Sequence, residues 1–585
     1  MPSTISASRR SGRCTALVCW LLTASSASLA QVPPPADAAV EELRRQERQR
    51  LLREQFERGA DVRVPVPVPE VPATSRLPSD EQPCFRIDAL ALQGAEPFPW
   101  LAAAAAGPDG DDSPIGRCLG TQGINAVLAR LQQALVARGW ITSRVLAAPQ
   151  DLATGELRLN VVPGRIAAIR SAAGATSLGL RSAVPAAPGD LLNLRDIEQG
   201  LENFKRLPTV EADIRIEPAQ GEGAEPGDSD LVIDVRRAPR ALGPLRLSMG
   251  LDDSGTRATG QLQANATLAW DGPLGLNDLA YLNLQRGTFN PQGRGTGGAT
   301  LHYSIPFGDW LVGATASRSR YHQRVAGLQQ DYVYAGASRN FQAQLTRLLH
   351  RGQRHKISLT LGAFRRSNSS FIDDTEIEVQ RRVVGGWSLE LAHRAFIALE
   401  DGNTATLDAS LGWRRGTGAF GAQPAPEQAF GEGTARFALA TAEASLQWPL
   451  QWGTQRLAYT GQARAQWNRT PLAAPERFGI GSRYTVRGFD GESSLLADRG
   501  WLLRNELAWT LGTSGTALYA GLDFGRVGGP SAGQLPGRSL AGAVLGLRGQ
   551  HGAFSWDLFA GTPLRKPQAM HSSSPSLGFS LQLSF

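Results

Sequence analysis

Apolar and polar side chains alternate along the C-terminal part of the chain, from about residue 241 onward. In residues 261–270 every second position is apolar, namely Leu262, Ala264, Ala266, Leu268 and Trp270. The same alternation recurs in residues 457–467, 501–509 and 577–585. Because successive side chains of a strand point to opposite faces, this pattern predicts β-strands with one apolar and one polar face.

Two architectures contain such strands, a β-sandwich and a membrane barrel. A sandwich turns its apolar faces inward. Here aromatic residues cluster at the ends of the segments, and the polar faces carry enough charge and amide groups to require water. Both features are typical of a transmembrane barrel with aromatic girdles and a wet interior. The last segment alternates up to Phe585, as expected of a strand that closes the barrel edge.

Residues 83–239 have a different pattern, which predicts two small α/β units in tandem. In the first unit, apolar residues at helical spacing predict a helix over 124–138, and Gly139 ends it. In the second unit a helix over 194–205 precedes strands near 210–216 and 231–235. Each unit therefore combines a short sheet with a helix.

Residues 36–58 lack Gly and Pro and are rich in Ala, Glu, Arg, Gln and Leu, which predicts a helix. Its apolar stripe is too thin to bury in an ordinary core. Two interpretations stay open: a solvated helix, or a helix within a polar, water-filled channel. Valine and proline nearly alternate over 62–72, which predicts an extended, semi-rigid linker.

The N-terminus is typical of a secretory signal at residues 1–30. Arginines precede an apolar stretch over 14–22, and the small residues of Ser28-Leu29-Ala30 fit a cleavage site before Gln31. No later segment has 18 consecutive apolar residues, so we expect no transmembrane helix.

Removal of the signal leaves two cysteines, Cys84 and Cys118. An even pair in a secreted chain predicts one disulfide, which stabilises its domain by about 3–4 kcal/mol. Zinc is disfavoured because neither a second CxxC motif nor paired histidines accompany them.

Composition argues against several functional classes. The net charge of +7 is modest for 585 residues, and no Lys/Arg run is interleaved with aromatics, so we expect no nucleic-acid partner. The seven histidines are scattered, without HExxH or GxSxG, so we expect neither an enzyme nor a metal site. No GxxxxGK[ST] occurs, and the GxGxxG at Gly293, Gly295 and Gly298 precedes a strand rather than opening a helix. No cofactor is expected.

Seven segments in order resemble the TpsB family of two-partner secretion transporters, the relatives of ShlB, FhaC and HecB. The segments lie at residues 138–145, 149–152, 161–166, 251–255, 272–278, 303–308 and, most specific, 483–489. The last is Arg-Tyr-Thr-Val-Arg-Gly-Phe. The resemblance covers nearly the whole chain after the signal.

The resemblance implies an all-β barrel of 16 antiparallel strands in the Gram-negative outer membrane, preceded by two POTRA domains and an N-terminal helix. The implied segments are a plug helix at 31–58, a linker at 59–82, POTRA domains at 83–164 and 165–239, and the barrel at 240–585. The helix and POTRA domains are expected in the periplasm or the barrel lumen. The implied disulfide lies in the first POTRA domain.

The family exports a TpsA-type polypeptide, such as a haemolysin, haemagglutinin or adhesin, which crosses the periplasm unfolded and without ATP. The resemblance implies this function here, with outer-membrane lipid as the surrounding partner. The alternative is an insertase for outer-membrane proteins, which shares POTRA domains and the RGF segment. Bacterial assembly factors usually have more than two periplasmic units, so the count of two favours export.

Two groups of site residues follow from the resemblance. Residues 194–216 are the candidate binding groove for the exported chain, with Leu201, Phe204 and Val210 either as its floor or as ordinary core. The segment Val486-Arg487-Gly488-Phe489 belongs to a long loop, about 471–500, that folds back into the barrel in the family. Its Arg487 is expected to pair with Asp523 on the inner wall, because a guanidinium in a narrow lumen needs a carboxylate.

Overall fold

A computed structural model describes most of the chain after residue 37. The described residues are 38–57, 59–64, 76–172, 179–220, 224–289, 293–512 and 515–585. The predicted signal at 1–30 and the central part of the predicted linker, 65–75, lie outside the described residues. The exact domain boundaries stay predictions.

The first described element is helix α1 (Ala38–Glu57), which lies within the predicted 31–58; residues 31–37 and 58 of that prediction lie outside the described residues. Salt bridges between side chains one turn apart reinforce it, including Glu41–Arg44 and Glu47–Arg50 at 3.0 and 3.2 Å. No helix in the described part of the chain combines the length and the apolar character needed to cross a bilayer.

The first α/β unit contains β1 (Phe85–Arg86), β2 (Ala89–Gln93), β3 (Cys118–Leu119), α2 (Thr121–Ala137), β4 (Arg144–Ala147) and β5 (Glu156–Val162). Strands β2, β5 and β4 form one sheet in that order, and β1 pairs with β3. The predicted helical stripe packs on this sheet, since Val127, Leu131 and Leu135 are fully buried. Cys84 and Cys118 form a disulfide across the unit.

A distant carboxylate caps α2. The Glu81 side chain accepts hydrogen bonds from the backbone N–H groups of Gly120, Gln122 and Gly123 at 2.8, 2.7 and 2.9 Å. It thereby satisfies amides that have no partner within the helix and opposes the positive end of its dipole. Burial alone would raise the pKa of Glu81, but the three donors outweigh it and lower the pKa below its usual value.

The second unit contains β6 (Ile166–Ser171), α3 (Leu180–Ala183), α4 (Leu194–Lys205), β7 (Val210–Pro218) and β8 (Ser229–Arg237). Its sheet has the order β6-β8-β7, with β6 parallel and β7 antiparallel to β8. Asn193 caps α4 by accepting the Arg195 N–H at 2.9 Å. This places α4 against β7, at one end of the sheet.

The strands that follow are β9 (Leu245–Asp252), β10 (Gln263–Asp271), β11 (Leu279–Gly287), β12 (Gly295–Phe307), β13 (Trp310–Ala326), β14 (Asp331–Arg351), β15 (His355–Ile372), β16 (Thr375–Glu376), β17 (Arg382–Ala398), β18 (Thr404–Thr417), β19 (Ala438–Trp452), β20 (Gln455–Asn468), β21 (Phe478–Ile480), β22 (Leu495–Ala497), β23 (Arg499–Leu511), β24 (Thr516–Gly528), β25 (Ser539–His551), β26 (Phe554–Arg565) and β27 (Ser576–Ser584). Strand β16 only extends the β15 loop, and β21 pairs with β22 alone. The other sixteen form a closed antiparallel barrel, in which β27 pairs with β9. The predicted fold class is confirmed.

The barrel faces are inverted relative to a soluble sandwich. On β10, Leu268 and Trp270 are 44% and 47% exposed, whereas Thr267 and Asp271 are 1% and 0% exposed. Apolar side chains therefore point outward and polar side chains inward. This arrangement is stable only where lipid surrounds the outer face.

We expect the substitution Glu81→Gln to loosen the start of α2, because an amide nitrogen would face backbone N–H donors. Hydrogen exchange of residues 121–124 in the full-length protein at pH 7 should rise about fivefold. The exposed Glu96→Gln variant is the matched control in the same unit.

The stabilisation of α2 by the Glu81 carboxylate should also depend on pH. Because the folded pKa is depressed, the stabilisation is present above the unfolded pKa, about 4.3, and is lost as pH falls through the folded value. The hydrogen-exchange rates of residues 121–124 in wild type and in Glu81→Gln should therefore become equal below about pH 4. Equal exchange of wild type and variant at pH 7 would contradict the capping role.

Candidate functional site

Two polypeptide segments fill the barrel lumen. One is α1, and the other is the segment 469–498 between β20 and β23, which we call the inner loop. The inner loop contains the short hairpin β21–β22 and packs on β23 and β24 from inside the barrel. Residues 486–489 lie at its closest approach to the barrel wall.

Glycines allow that close approach. Gly488 has a φ of 97°, and a Cβ there would lie 2.5 Å from the Thr562 carbonyl oxygen. On the barrel wall, a Cβ at Gly542 would lie 1.9 Å from the Arg487 carbonyl oxygen. Both positions therefore require glycine, one for conformation and space and the other for space alone.

Arg487 is bound to Asp523 of β24 by three hydrogen bonds. Its backbone N–H and Nε donate to Asp523 Oδ2 at 2.9 and 2.8 Å, and Nη2 donates to Oδ1 at 2.9 Å. A second carboxylate, Glu506 of β23, accepts from Nη1. Arg487 is 7% exposed and Asp523 is fully buried. Bidentate pairs of this kind are among the strongest hydrogen-bonded interactions in proteins.

Val486 and Phe489, on either side of this pair, are also buried. They belong to an apolar cluster inside the barrel with Ile480, Leu495 and Leu540. This cluster covers one side of the Arg487–Asp523 pair with apolar side chains, which strengthens the interaction there. On its other side, Arg487 and Glu506 border a polar cavity of about 420 Å³.

Helix α1 spans the lumen from end to end. Its 20 residues extend about 30 Å, close to the hydrocarbon thickness of a bilayer. Near its N-terminus, Glu41 accepts hydrogen bonds from Thr256 and Thr259 of the β9–β10 loop at 3.4 and 3.2 Å. Near its C-terminus, Glu57 accepts from Tyr281 at 2.9 Å. Of the two interpretations left open by sequence, the channel helix is therefore the one observed.

Polar contacts also hold the middle of α1. Arg464 of β20 donates to Glu47 at 2.7 Å, and Gln49 donates to Ser317 of β13 at 2.7 Å. Arg44 donates to the carbonyl of Gly491 and so joins α1 to the inner loop. Cavities of about 420 and 700 Å³ remain beside the helix, at positions lined by polar side chains. Such cavities hold water.

Residues after α1 connect it to the second α/β unit. The backbone N–H groups of Val62 and Val64 donate to Glu202 and Glu198 of α4 at 2.8 and 2.9 Å. Arg351, at the end of β14, donates to both carboxylates at 2.9 and 3.2 Å. We call Glu198, Glu202 and Arg351 the base cluster. It joins the tether of α1, the second unit and the barrel at one point.

The base cluster was missed by sequence reasoning. The spacing of Glu198 and Glu202 by four residues places both on one face of α4, and this was the only local signal. Their partner Arg351 lies about 150 residues away in the chain. Only the fold brings these charges together.

Leu201, Phe204 and Val210 do not form an open groove floor. They are 4%, 0% and 6% exposed and belong to the core of the second unit. Leu201 and Phe204 lie on the face of α4 that packs on the sheet, and Val210 lies at the start of β7; all three pack in one cluster with Ile214 and Ile233. Of the two alternatives left open by the sequence, their burial favours ordinary core.

A closed 16-stranded barrel with an apolar outer face, a plugged polar lumen and two α/β units at one end defines a class of protein, the plugged outer-membrane transporters with periplasmic receptor domains. Family comparisons resolve the class further. The family described as "Haemolysin secretion/activation protein ShlB/FhaC/HecB" matches residues 227–549, more than half of the chain. A ShlB-type POTRA domain matches residues 85–164, and a POTRA domain matches 165–218.

Individual relatives and a solved structure support the same family. The outer membrane transporter CdiB-2 of Burkholderia pseudomallei strain 1026b is 36% identical, over 96% of this chain and 97% of its own. The haemolysin transporter protein ShlB of Serratia marcescens is 27% identical, over 78% of each chain. The solved structure of CdiB from Acinetobacter baumannii superposes with a TM-score of 0.81 at 28% identity, covering 96% of this chain and 100% of that one.

The chain belongs to the ShlB/FhaC/HecB family, the TpsB transporters of two-partner secretion. It is an outer-membrane transporter whose α/β units are periplasmic POTRA domains. The end of the barrel at the second unit therefore faces the periplasm, and the inner loop enters from the cell exterior.

We expect removal of the Asp523 carboxylate to release the inner loop. In Asp523→Asn, Arg487 retains Glu506 but loses the fully buried carboxylate that accepts three of its hydrogen bonds, which should destabilise the docked loop by about 3–5 kcal/mol. Hydrogen exchange of residues 482–492 should rise strongly in the full-length protein.

The double variant Arg487→Gln/Asp523→Asn should exchange less than the sum of the two single effects, since it removes both charges of the Arg487–Asp523 pair together. The outward-facing Arg499→Gln variant is the control. Protection that is unchanged in Asp523→Asn would refute the locking role.

Proposed function

We propose that this transporter exports an unfolded TpsA-type polypeptide through its barrel lumen, after α1 has left the lumen and without ATP. The observation that carries this proposal is the position of α1. The helix fills the path that an exported chain would take, and side-chain hydrogen bonds and ion pairs such as Gln49–Ser317 and Glu47–Arg464 hold it to the barrel wall. Such contacts exchange readily with water, so the plug is removable.

The composition of α1 supports its release. The helix carries five Glu and five Arg, so its formal charge is zero, and it is polar on nearly all sides. A helix of this kind loses little by transfer to water. Phe56 is the exception: its ring packs on Tyr281 with centroids 5.4 Å apart, which anchors the periplasmic end of the helix.

The second POTRA domain is the proposed receptor. Within the described residues, β7 pairs only with β8, so its other edge offers unpaired backbone groups. An extended polypeptide adds to such an edge through main-chain hydrogen bonds, with little dependence on sequence. Because Leu201, Phe204 and Val210 are buried in the core of the unit, we propose this edge, along residues 210–218, as the binding element.

The base cluster supplies the proposed link between reception and plug release. Glu198 and Glu202 bind the tether residues Val62 and Val64, and they lie on α4, beside the receptor strand. A polypeptide that shifts α4 on binding would strain these bonds. We propose that this strain favours exit of α1.

Deletion of residues 31–58 should raise single-channel conductance in planar bilayers, because it empties the central path of the lumen. The matched control is Arg464→Gln. This variant loses one contact to α1 but keeps the helix in the lumen. Conductance equal to wild type after the deletion would exclude the plug role.

Locking α1 in place should block export. In the variant Gln49→Cys/Ser317→Cys, a short bismaleimide would join two side chains that are in hydrogen-bond contact in the structure. Cys84 and Cys118 are bonded to each other and do not react. Export of a co-expressed TpsA-type partner to the medium should stop after cross-linking, while each single-cysteine variant continues to export. Export at the wild-type rate through the cross-linked protein would overturn the proposal.

A further inference from the structure

Arginines collect on the outward face of the barrel near its exterior end. They lie on three adjacent strands, β13 to β15, and all are exposed: Arg318, Arg320, Arg339 and Arg365. We call these four residues the arginine patch. Their outward direction follows from the intervening residues, since Ser317 and Ser319 point inward and contact α1.

The register places like charges side by side. Arg318 lies directly opposite Arg339, and Arg365 lies opposite Phe341, the next residue along that face of β14. Like charges directly opposite each other destabilise a sheet. Among the described residues, none has a carboxylate within salt-bridge distance of any arginine of the patch. An anion from outside the chain would relieve this repulsion.

Carboxylates at the exterior ends of these strands pair with other arginines: Asp331 lies 3.9 Å from Arg324, and Glu376 lies 2.6 Å from Arg381. The barrel carboxylates Glu390, Asp408, Glu443 and Glu506 line cavities of the lumen, on the other side of the wall. Within the described residues, the outward face therefore presents four neighbouring arginines, none of which forms an ion pair.

Aromatic residues fix the depth of the patch in the membrane. Phe341 is 51% exposed on the same face, one outward position closer to the membrane centre than Arg339. On β18 the same order recurs with Trp413 and Arg415, and Arg469 lies 5.5 Å from the Trp413 ring centroid. Aromatic side chains mark the membrane interface, so the arginines lie at the level of the lipid headgroups. Because the arginine patch lies near the exterior end of the barrel, these headgroups belong to the outer leaflet.

We propose that the arginine patch binds the phosphate groups of an acylated, phosphorylated lipid of the outer leaflet. The guanidinium fork binds phosphate oxygens in pairs, and this bond is stronger at a membrane interface than in water. One phosphate between Arg318 and Arg339 neutralises their repulsion. The acyl chains of the same molecule pack on Phe341 and Leu345, both exposed on the same face.

The test compares lipid binding by the full-length wild type and by the variant Arg318→Gln/Arg339→Gln/Arg365→Gln. Both proteins are purified in detergent and titrated with a bis-phosphorylated lipid A, and bound lipid is counted by native mass spectrometry. Binding should weaken at least about tenfold in the variant, since each basic residue near a membrane surface contributes to anionic-lipid binding.

Arg347→Gln is the matched control. Arg347 lies on β14 and faces outward at the periplasmic end, 4.9 Å from the Trp310 ring centroid. The Arg347→Gln variant removes one charge from β14 at the opposite rim of the barrel. Its lipid binding should equal that of the wild type. Raising NaCl from about 50 to 500 mM should weaken wild-type binding, because salt screens the attraction.

Three results would overturn the proposal: equal binding by wild type and triple variant, equally tight binding of the fully dephosphorylated lipid, or displacement of the lipid by inorganic phosphate at equal concentration. The last would assign the patch to a soluble anion. Heat-modifiable gel mobility checks the barrel fold. If the triple variant does not fold, Arg339→Gln alone breaks the directly opposed pair, and unchanged lipid binding by it refutes the site.

Discussion

Closure of the strand ring is the constraint on which the rest of the molecule depends. In lipid no water satisfies backbone N–H and C=O groups, so every strand edge must be paired. Here β27 meets β9, and Phe585 exchanges backbone hydrogen bonds with Leu247 at 2.8 and 3.3 Å. Once the ring is closed with apolar side chains outward, alternation forces the polar side chains into the lumen. A polar lumen must then contain water or polar polypeptide.

The two lumenal segments meet this requirement in different ways. Helix α1 matches the wall with scattered hydrogen bonds and ion pairs, such as Glu47–Arg464, and retains water beside it. The inner loop is instead held by one dense contact, Arg487–Asp523, flanked by the buried Val486 and Phe489. The first interface consists of separate polar contacts, whereas the second concentrates three hydrogen bonds on one fully buried carboxylate. This difference fits a removable plug and a fixed loop.

Much of the fold could be predicted from the sequence because the signals are local. Strand alternation, the helix of residues 194–205 and the glycine after α2 each depend on neighbours within a few positions. The pairing of Arg487 with Asp523 was also anticipated, but from family resemblance rather than from residue chemistry. The sequence left open whether Leu201, Phe204 and Val210 floor a groove or form core, because local pattern does not distinguish the two.

The sequence by itself determined the secondary structure, the two faces of each strand and the polar character of α1, since periodicity and composition act over short distances. Only the tertiary structure decided what those faces meet. The register of β13 on β14 sets Arg318 against Arg339, and the docking of the second unit sets Arg351 against Glu198. Such contacts join residues far apart in the chain, and their energies depend on burial, which only the closed fold creates.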